Sequence, residues 1–169
     1  MAQKTWDLPR DLLAQSIQVM RPYGAIGHEG LALWFGDDRG DAVEITHLIV
    51  PHGPGLVTHP LHLSLSLRAI ARLTGLSGRL DRYWAGQIHS HPGVDVRLSE
   101  VDKRMGVLVQ DYLSVVCPHY AQQPVTDLRE CGIHIFDRGA YRQLAPAEVG
   151  ARIHVSERTV EVVPVEVPA

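Results

Sequence analysis

Apolar and polar positions change their period several times along the chain, and each change marks an element. Leu12, Leu13, Ile17 and Met20 recur at helical spacing. The preceding Asp7-Leu8-Pro9-Arg10 predicts a helix start with Asp7 as cap and Pro9 in the first turn, and Pro22-Tyr23-Gly24 predicts its end. Between Gly27 and Gly36 the residues are largely apolar, which predicts a strand; the turn-forming run Asp37 to Asp41 then predicts a hairpin with Ala42 to Val50. Leu63, Leu67, Ile70 and Leu73 predict a crossover helix over Leu61 to Leu73 with Gly75 as its stop. Tyr83 to Ile88, apolar and aromatic-rich, predicts a buried strand, and Ser99 opens a helical pattern through Met105, Val107 and Leu108. Asp111 to Pro118, Gly132 to Phe136 and Tyr141 to Leu144 read as three further strands, with a polar loop from His119 to Glu130 that borders the cleft. Val160 to Val167 alternates like a strand broken by Pro164, an edge strand or a tail.

A chain of 169 residues is one domain's length with room for one sizeable core, here of α/β class. A net charge of −3 and a pI near 6.3 give no electrostatic footprint for nucleic acid or an anionic membrane, so neither is expected as a partner. The start Met1-Ala2-Gln3-Lys4 lacks a signal-peptide core and no apolar run reaches a membrane span, so cytoplasmic residence is the expectation. Cys117 and Cys131 are far apart and form no Cys-x-x-Cys, which indicates neither a disulfide framework nor a thiolate metal site. Of ten histidines, His47, His52, His59 and His62 fall among Gly53, Pro54, Gly55 and Pro60, a pattern of loop rather than of a rigid ligand-bearing element.

The chemistry concentrates in His89-Ser90-His91-Pro92. A strand ending there carries both imidazoles on one face, and Pro92 forces the chain out of the strand. Asp102 then stands one turn into the helix that Ser99 opens. Two neutral imidazoles and a carboxylate form a mixed nitrogen and oxygen set that suits one Zn²⁺, with a fourth position open for water and hence for catalysis. Ser99-x-x-Asp102 also fits a capping box, a purely structural role. Glu29 stands at the mouth of the first predicted strand, the place for a catalytic base; Glu44 competes, but it lies in the alternating Val43-Glu44-Ile45-Thr46, where an outward solvated face accounts for it.

His-x-His-Pro, then Asp102 eleven residues after His91 with Ser99 three before it, resembles the signature of the JAMM (JAB/MPN) metalloproteases. Glu29 followed by an apolar run to Gly36, seven residues on, is similar to that family's strand-heading glutamate; Ala32 stands where the family commonly has glycine. The resemblance covers roughly Leu8 to Leu144 and implies one MPN-like domain over residues 1–150, a mixed curved sheet flanked by helices in a cytidine-deaminase-like architecture, with residues 151–169 as a C-terminal extension. It further implies zinc on His89, His91 and Asp102, Glu29 handling the water proton, and Ser99 helping to stabilise the tetrahedral intermediate. The implied substrate is a ubiquitin-like protein cleaved after a C-terminal Gly-Gly, as an isopeptidase or as a precursor or sulfur-carrier processor, with E1-like or E2-like proteins as possible genomic neighbours. Rival readings are a non-enzymatic scaffold of the same fold, expected to have lost a ligand, and a relative associated with DNA repair or phage tails. A zinc nucleobase deaminase would need His-x-Glu with Pro-Cys-x-x-Cys, whereas here Cys117 precedes Pro118 and no second thiolate follows.

Overall fold

The computed structural model describes residues 3–169; Met1 and Ala2 of the polar start lie outside the described residues. Its elements in chain order are β1 (Thr5–Pro9), α1 (Leu12–Gly24), β2 (Leu31–Asp38), β3 (Ala42–His52), β4 (Leu56–Thr58), β5 (Leu63–Leu65), α2 (Leu67–Leu80), β6 (Tyr83–Ser90), α3 (Glu100–Met105), β7 (Leu113–Cys117), β8 (Gly132–Asp137), β9 (Ala140–Gln143), α4 (Pro146–Arg152), β10 (Ile153–Ser156) and β11 (Glu161–Glu166). Nine strands form one sheet in the order β10-β1-β3-β2-β6-β7-β8-β9, with β11 pairing β3, while β4 and β5 make a separate hairpin. The sheet is mixed: β6 and β7 run parallel, the β2 pairings antiparallel. This is the mixed α/β domain expected from the sequence.

Strand alternation divides the core into two layers. Ala32 and Trp34 join a cluster with Leu12, Ile17 and Met20 of α1 and Val149 of α4, whereas Leu31, Leu33 and Phe35 join one with Ala69, Leu73 and Leu76 of α2. Because both faces of β2 are covered, its sequence reads as an unbroken apolar run rather than an alternating one. Between Phe35 and Gly36 the β2–β3 register shifts by one residue, passing over Thr46. Gly36 is required there, since a Cβ would lie 2.1 Å from the Glu44 carbonyl oxygen.

Four expectations are corrected. Residues 5–9 are a strand, not a helix start: Trp6 and Leu8 alternate inward, and the backbone pairs with β3 on one side and β10 on the other. Asp7 therefore caps nothing, and at the true helix start Asp11 spends its carboxylate on the Val160 N–H. The crossover helix begins at Leu67, where the Ser66 hydroxyl accepts from Ala69 N–H, and it runs through Gly75 to Leu80. Leu73 and Leu76 bury either side of Gly75, and their combined burial outweighs the ~1 kcal/mol that glycine costs a helix. The helix opened by Ser99 closes at Met105, short of Val107 and Leu108. The segment from His47 to His62 is not a simple loop: His47 and His52 lie on β3, while His59 and His62 stack at 4.2 Å in the turn joining β4 to β5.

The chain beyond residue 150 pairs with the sheet at both ends of its run. The β10 strand lies parallel to β1 at the sheet edge. The long β3 strand shares one edge between β1, opposite Ala42 to Glu44, and β11, opposite His47 to His52. Pro164, lacking an N–H, is accommodated because β11 pairs on one side alone.

Candidate metal centre

The β6 strand ends at Ser90, with β2 on one side and β7 on the other: Leu31 pairs His89 in one direction and Val116 pairs it in the other. The His91 N–H donates to the Cys117 carbonyl at 2.9 Å, which extends the ladder one residue past the strand. His89 and His91 both turn inward and are buried. Glu29 enters from the segment just before the neighbouring strand β2. Its successor Gly30 is clipped to Ser90 twice, by Gly30 N–H to Ser90 Oγ at 2.9 Å and Ser90 N–H to the Gly30 carbonyl at 3.1 Å. A side chain at residue 30 would press a Cβ to 2.9 Å from Met20 on α1, so glycine is what lets this stretch of chain sit against the helix.

Asp102 arrives by the capping box. Ser99 Oγ accepts from the Asp102 N–H at 3.0 Å, and the Ser99 N–H donates to Asp102 Oδ2 at 2.8 Å. That same Oδ2 lies 3.2 Å from His91 Nε2 and 3.5 Å from His89 Nε2, and the two imidazole nitrogens are 3.1 Å apart. The cap and the metal reading therefore do not compete, because the cap is what aims the carboxylate. The three edges bracket the ~3.3 Å separation of ligand atoms around a tetrahedral zinc with ~2.0 Å bonds. Glu29 Oε1 is farther, 3.9 Å from His91 Nε2, although Glu29, His89 and His91 also converge within 4.8 Å and together could hold a metal ion. The shorter edges favour Asp102 as the third ligand, with Glu29 one step outside.

Protonation divides the two carboxylates in the same way. Burial pushes Asp102 up, but hydrogen bonds from His89 and His91 overrule it and hold Asp102 well below the usual carboxylate range, so it stays ionised. For Glu29 burial dominates, with His91 pulling down and Asp102 pushing up, and its pKa is raised to about 7. Burial lowers His91, but hydrogen bonding to Asp102 and the charges of Glu29 and Asp102 raise it further than that. His91 Nδ1 faces the Asp95 carbonyl at 3.2 Å, and a carbonyl can only accept, so Nδ1 carries a proton; in the neutral, metal-binding form of the ring the Nε2 lone pair would point into the site. Among the described residues, Glu29 Oε2 and His89 Nδ1 are buried without a hydrogen-bond partner. Two imidazole nitrogens and a carboxylate oxygen converging beside an orphaned carboxylate oxygen are what a bound cation would satisfy, so the donor set fits a divalent metal.

Around these groups opens a cleft of about 610 Å³ lined by Glu29, His91, Leu98 and Ser99, with Leu61, Pro92, Asp95 and Arg97 among its other walls. Ser99 is exposed to it and its hydroxyl proton makes no bond among the described residues. Glu44, the competing acid, lies away from the cleft and pairs with Arg39 and Arg158.

Several contributors escape sequence reasoning. Ser90 sits between the two histidines in plain view, but nothing local indicates that its hydroxyl would be buried under Gly30. His134 on β8 is buried, with Nδ1 3.2 Å from the Ser114 carbonyl, and burial lowers its pKa to about 4; only its alternation with Ile133 and Ile135 marks it as facing the other side of the strand. The polar loop after β7 does reach the site. His119, Tyr120 and Ala121 all adopt left-handed backbone, an unusual run for residues with side chains. The Tyr120 N–H donates to the His91 carbonyl at 2.7 Å, and its hydroxyl donates to the Pro60 carbonyl at 2.7 Å, so it ties the metal strand to the turn between β4 and β5. From that turn the His59 carbonyl accepts the Glu29 N–H at 3.0 Å.

No protein-family model matches the chain. A curated protein of Sinorhizobium fredii, probable metalloprotease y4jG, is 26% identical over 151 residues, 89% of this chain and 93% of that protein. The solution structure of protein DSY2949 from Desulfitobacterium hafniense shares the fold, with a TM-score of 0.64 at 18% identity over 91% of this chain and 94% of that one. AF2198, a JAB1/MPN domain protein from Archaeoglobus fulgidus, aligns over 93% of this chain and 100% of its own at 15% identity, with a TM-score of 0.47. The signature is filled, its side chains converge on one point and a probable metalloprotease is similar over most of the chain, so the site resembles that of the JAMM (JAB/MPN) metalloproteases.

Proposed function

We propose that the chain is a zinc metallopeptidase that hydrolyses the peptide or isopeptide bond following the Gly-Gly tail of a ubiquitin-like protein. The observation that carries the peptidase reading is the triangle of His89 Nε2, His91 Nε2 and Asp102 Oδ2, with edges of 3.1 to 3.5 Å, opening onto a cleft beside a buried glutamate. His89, His91 and Asp102 would hold the zinc, which when bound supplies a water acidic enough to attack near neutral pH and polarises the scissile carbonyl. Glu29, held by Ser90 through Gly30 and by the His59 carbonyl, accepts the proton of the attacking water and returns it to the leaving amine. The uncommitted hydroxyl proton of Ser99 donates to the oxygen on which negative charge develops.

A macromolecular substrate is supported by Leu61, an exposed apolar side chain in the wall of the cleft, and by exposed Val94 between the lining residues Gly93 and Asp95, side chains of a kind usually found at protein contacts. The choice of a ubiquitin-like protein rests on the family resemblance. A tail of glycines is the substrate whose backbone most easily enters a narrow cleft. The test is a ubiquitin-like protein fused through its Gly-Gly tail to a reporter, with turnover normalised to bound metal. Scission directly after the second glycine is expected, falling at least about tenfold, a barrier increase of ~1.4 kcal/mol, when both glycines become alanine. Equal cleavage of the alanine tail, or none by metal-loaded protein, would remove this substrate class.

A further inference from the structure

The basic side chains of the protein divide sharply. Every Lys and Arg on the rest of the chain bonds to an acid or a carbonyl: Lys4 to Asp38, Arg82 to Asp37, Arg97 to Asp95 and Arg142 to Glu148 are examples, and even Arg21 and Arg104 reach backbone carbonyls. Arg68, Arg72 and Arg79 make no hydrogen bond or ion pair among the described residues, and all three lie on α2. At 100° per residue they fall within about 40° of one another around the axis and span roughly 16 Å along it. No acid lies within the helix, and the nearest one in sequence, Asp81, stands past its end. Ala69, Leu73 and Leu76 are the buried side of α2, so the arginines flank its outer surface. That surface is otherwise low: Ala71, Gly75 and Gly78 carry no side chain beyond Cβ, and a Cβ at Gly78 would meet nothing within 4 Å.

We propose that the outer face of α2 docks an acidic polypeptide segment, whose carboxylates pair with Arg68, Arg72 and Arg79 while its backbone approaches over Ala71, Gly75 and Gly78. A guanidinium binds a carboxylate with two parallel hydrogen bonds, so three in line set both register and direction. Exposed Leu67 adds an apolar contact at the N-terminal end of the row. A protein partner fits better than nucleic acid because the net charge is −3 and, apart from Arg21 and Arg104, the remaining cations are paired with acids, which leaves no continuous basic surface for a phosphate backbone to follow. The face is independent of the metal centre and requires no metal.

The experiment titrates the full-length, nitrogen-15-labelled protein at low ionic strength with a glutamate-rich peptide and follows the amide resonances. Shifts concentrated in Leu67–Leu80 that fade with added salt are expected, with binding at least tenfold weaker in a triple R68E/R72E/R79E variant and restored to that variant by a lysine-rich peptide. The single variant R72E, with an intermediate loss, serves if the triple variant does not fold. Shifts absent from α2, or undiminished by charge reversal, would overturn the proposal. So would a DNA duplex of equal charge density that binds the same face more tightly than the peptide.

Discussion

Replacing Glu29 by glutamine leaves fold and metal content unchanged and slows hydrolysis by at least about 100-fold, the lower range for loss of a general base. The side chain is buried, and glutamine is nearly isosteric, so the packing around it is preserved. What disappears is the capacity to take a proton. With Oε1 at 3.9 Å from His91 Nε2, Glu29 sits beyond the 3.1 to 3.5 Å triangle of the other three groups, so the variant should not lose the ion. Glu44→Gln provides the control: its carboxylate serves surface ion pairs with Arg39 and Arg158, each worth at most about 1 kcal/mol, and turnover should not change. Single-turnover cleavage of the Gly-Gly fusion, with metal measured on the same samples, checks both variants. A large loss in Glu44→Gln with none in Glu29→Gln would mean that the wrong carboxylate had been chosen.

Ser99→Ala is expected to lower turnover by about 10²-fold per metal-loaded molecule while stability falls by only ~1 kcal/mol. The capping box separates the two effects. Removing Oγ leaves the Asp102 N–H without its 3.0 Å acceptor, which is the stability loss, but the Ser99 N–H still donates to Asp102 Oδ2 at 2.8 Å and keeps that oxygen aimed at the histidines. Metal content should therefore hold. Ser99→Asp sharpens the contrast, since an ionised aspartate can cap but cannot donate, and its charge would oppose an oxyanion. A stable, metal-loaded and inactive protein is expected from that change. Near-normal turnover in Ser99→Ala would reduce Ser99 to a helix cap, measured by thermal melting beside the same cleavage assay.

The residues of the site were legible in the sequence because each is placed by local geometry. His89 and His91 share a face by strand period, Asp102 is set by a one-turn cap, and Glu29 heads an apolar run. What was not legible depends on contacts between distant segments. Asp7-Leu8-Pro9 has the local grammar of a helix start, but pairing with β3 and β10 decides the matter, and no window of sequence contains those partners. Gly75 looks like a stop until the buried positions Leu73 and Leu76 are seen on either side of it. The Ser90 hydroxyl beneath Gly30, and Tyr120 bridging the His91 and Pro60 carbonyls, join residues 60 apart or meet through a left-handed turn that propensity would not suggest.

The choice between Asp102 and Glu29 as third ligand is the point on which the division of roles rests, and metal content per chain decides it. Wild type, Glu29→Gln, Asp102→Asn and the His89→Ala, His91→Ala double variant would be purified identically without added metal and measured by elemental analysis. Asparagine at 102 can still accept the Ser99 N–H, so that variant keeps its helix cap while losing the ligand's charge. The predicted result is about one zinc per chain in wild type and Glu29→Gln, and next to none in Asp102→Asn and the double variant. Full metal in Asp102→Asn together with loss in Glu29→Gln would contradict the account, making Glu29 the ligand and leaving the proposed mechanism without its base.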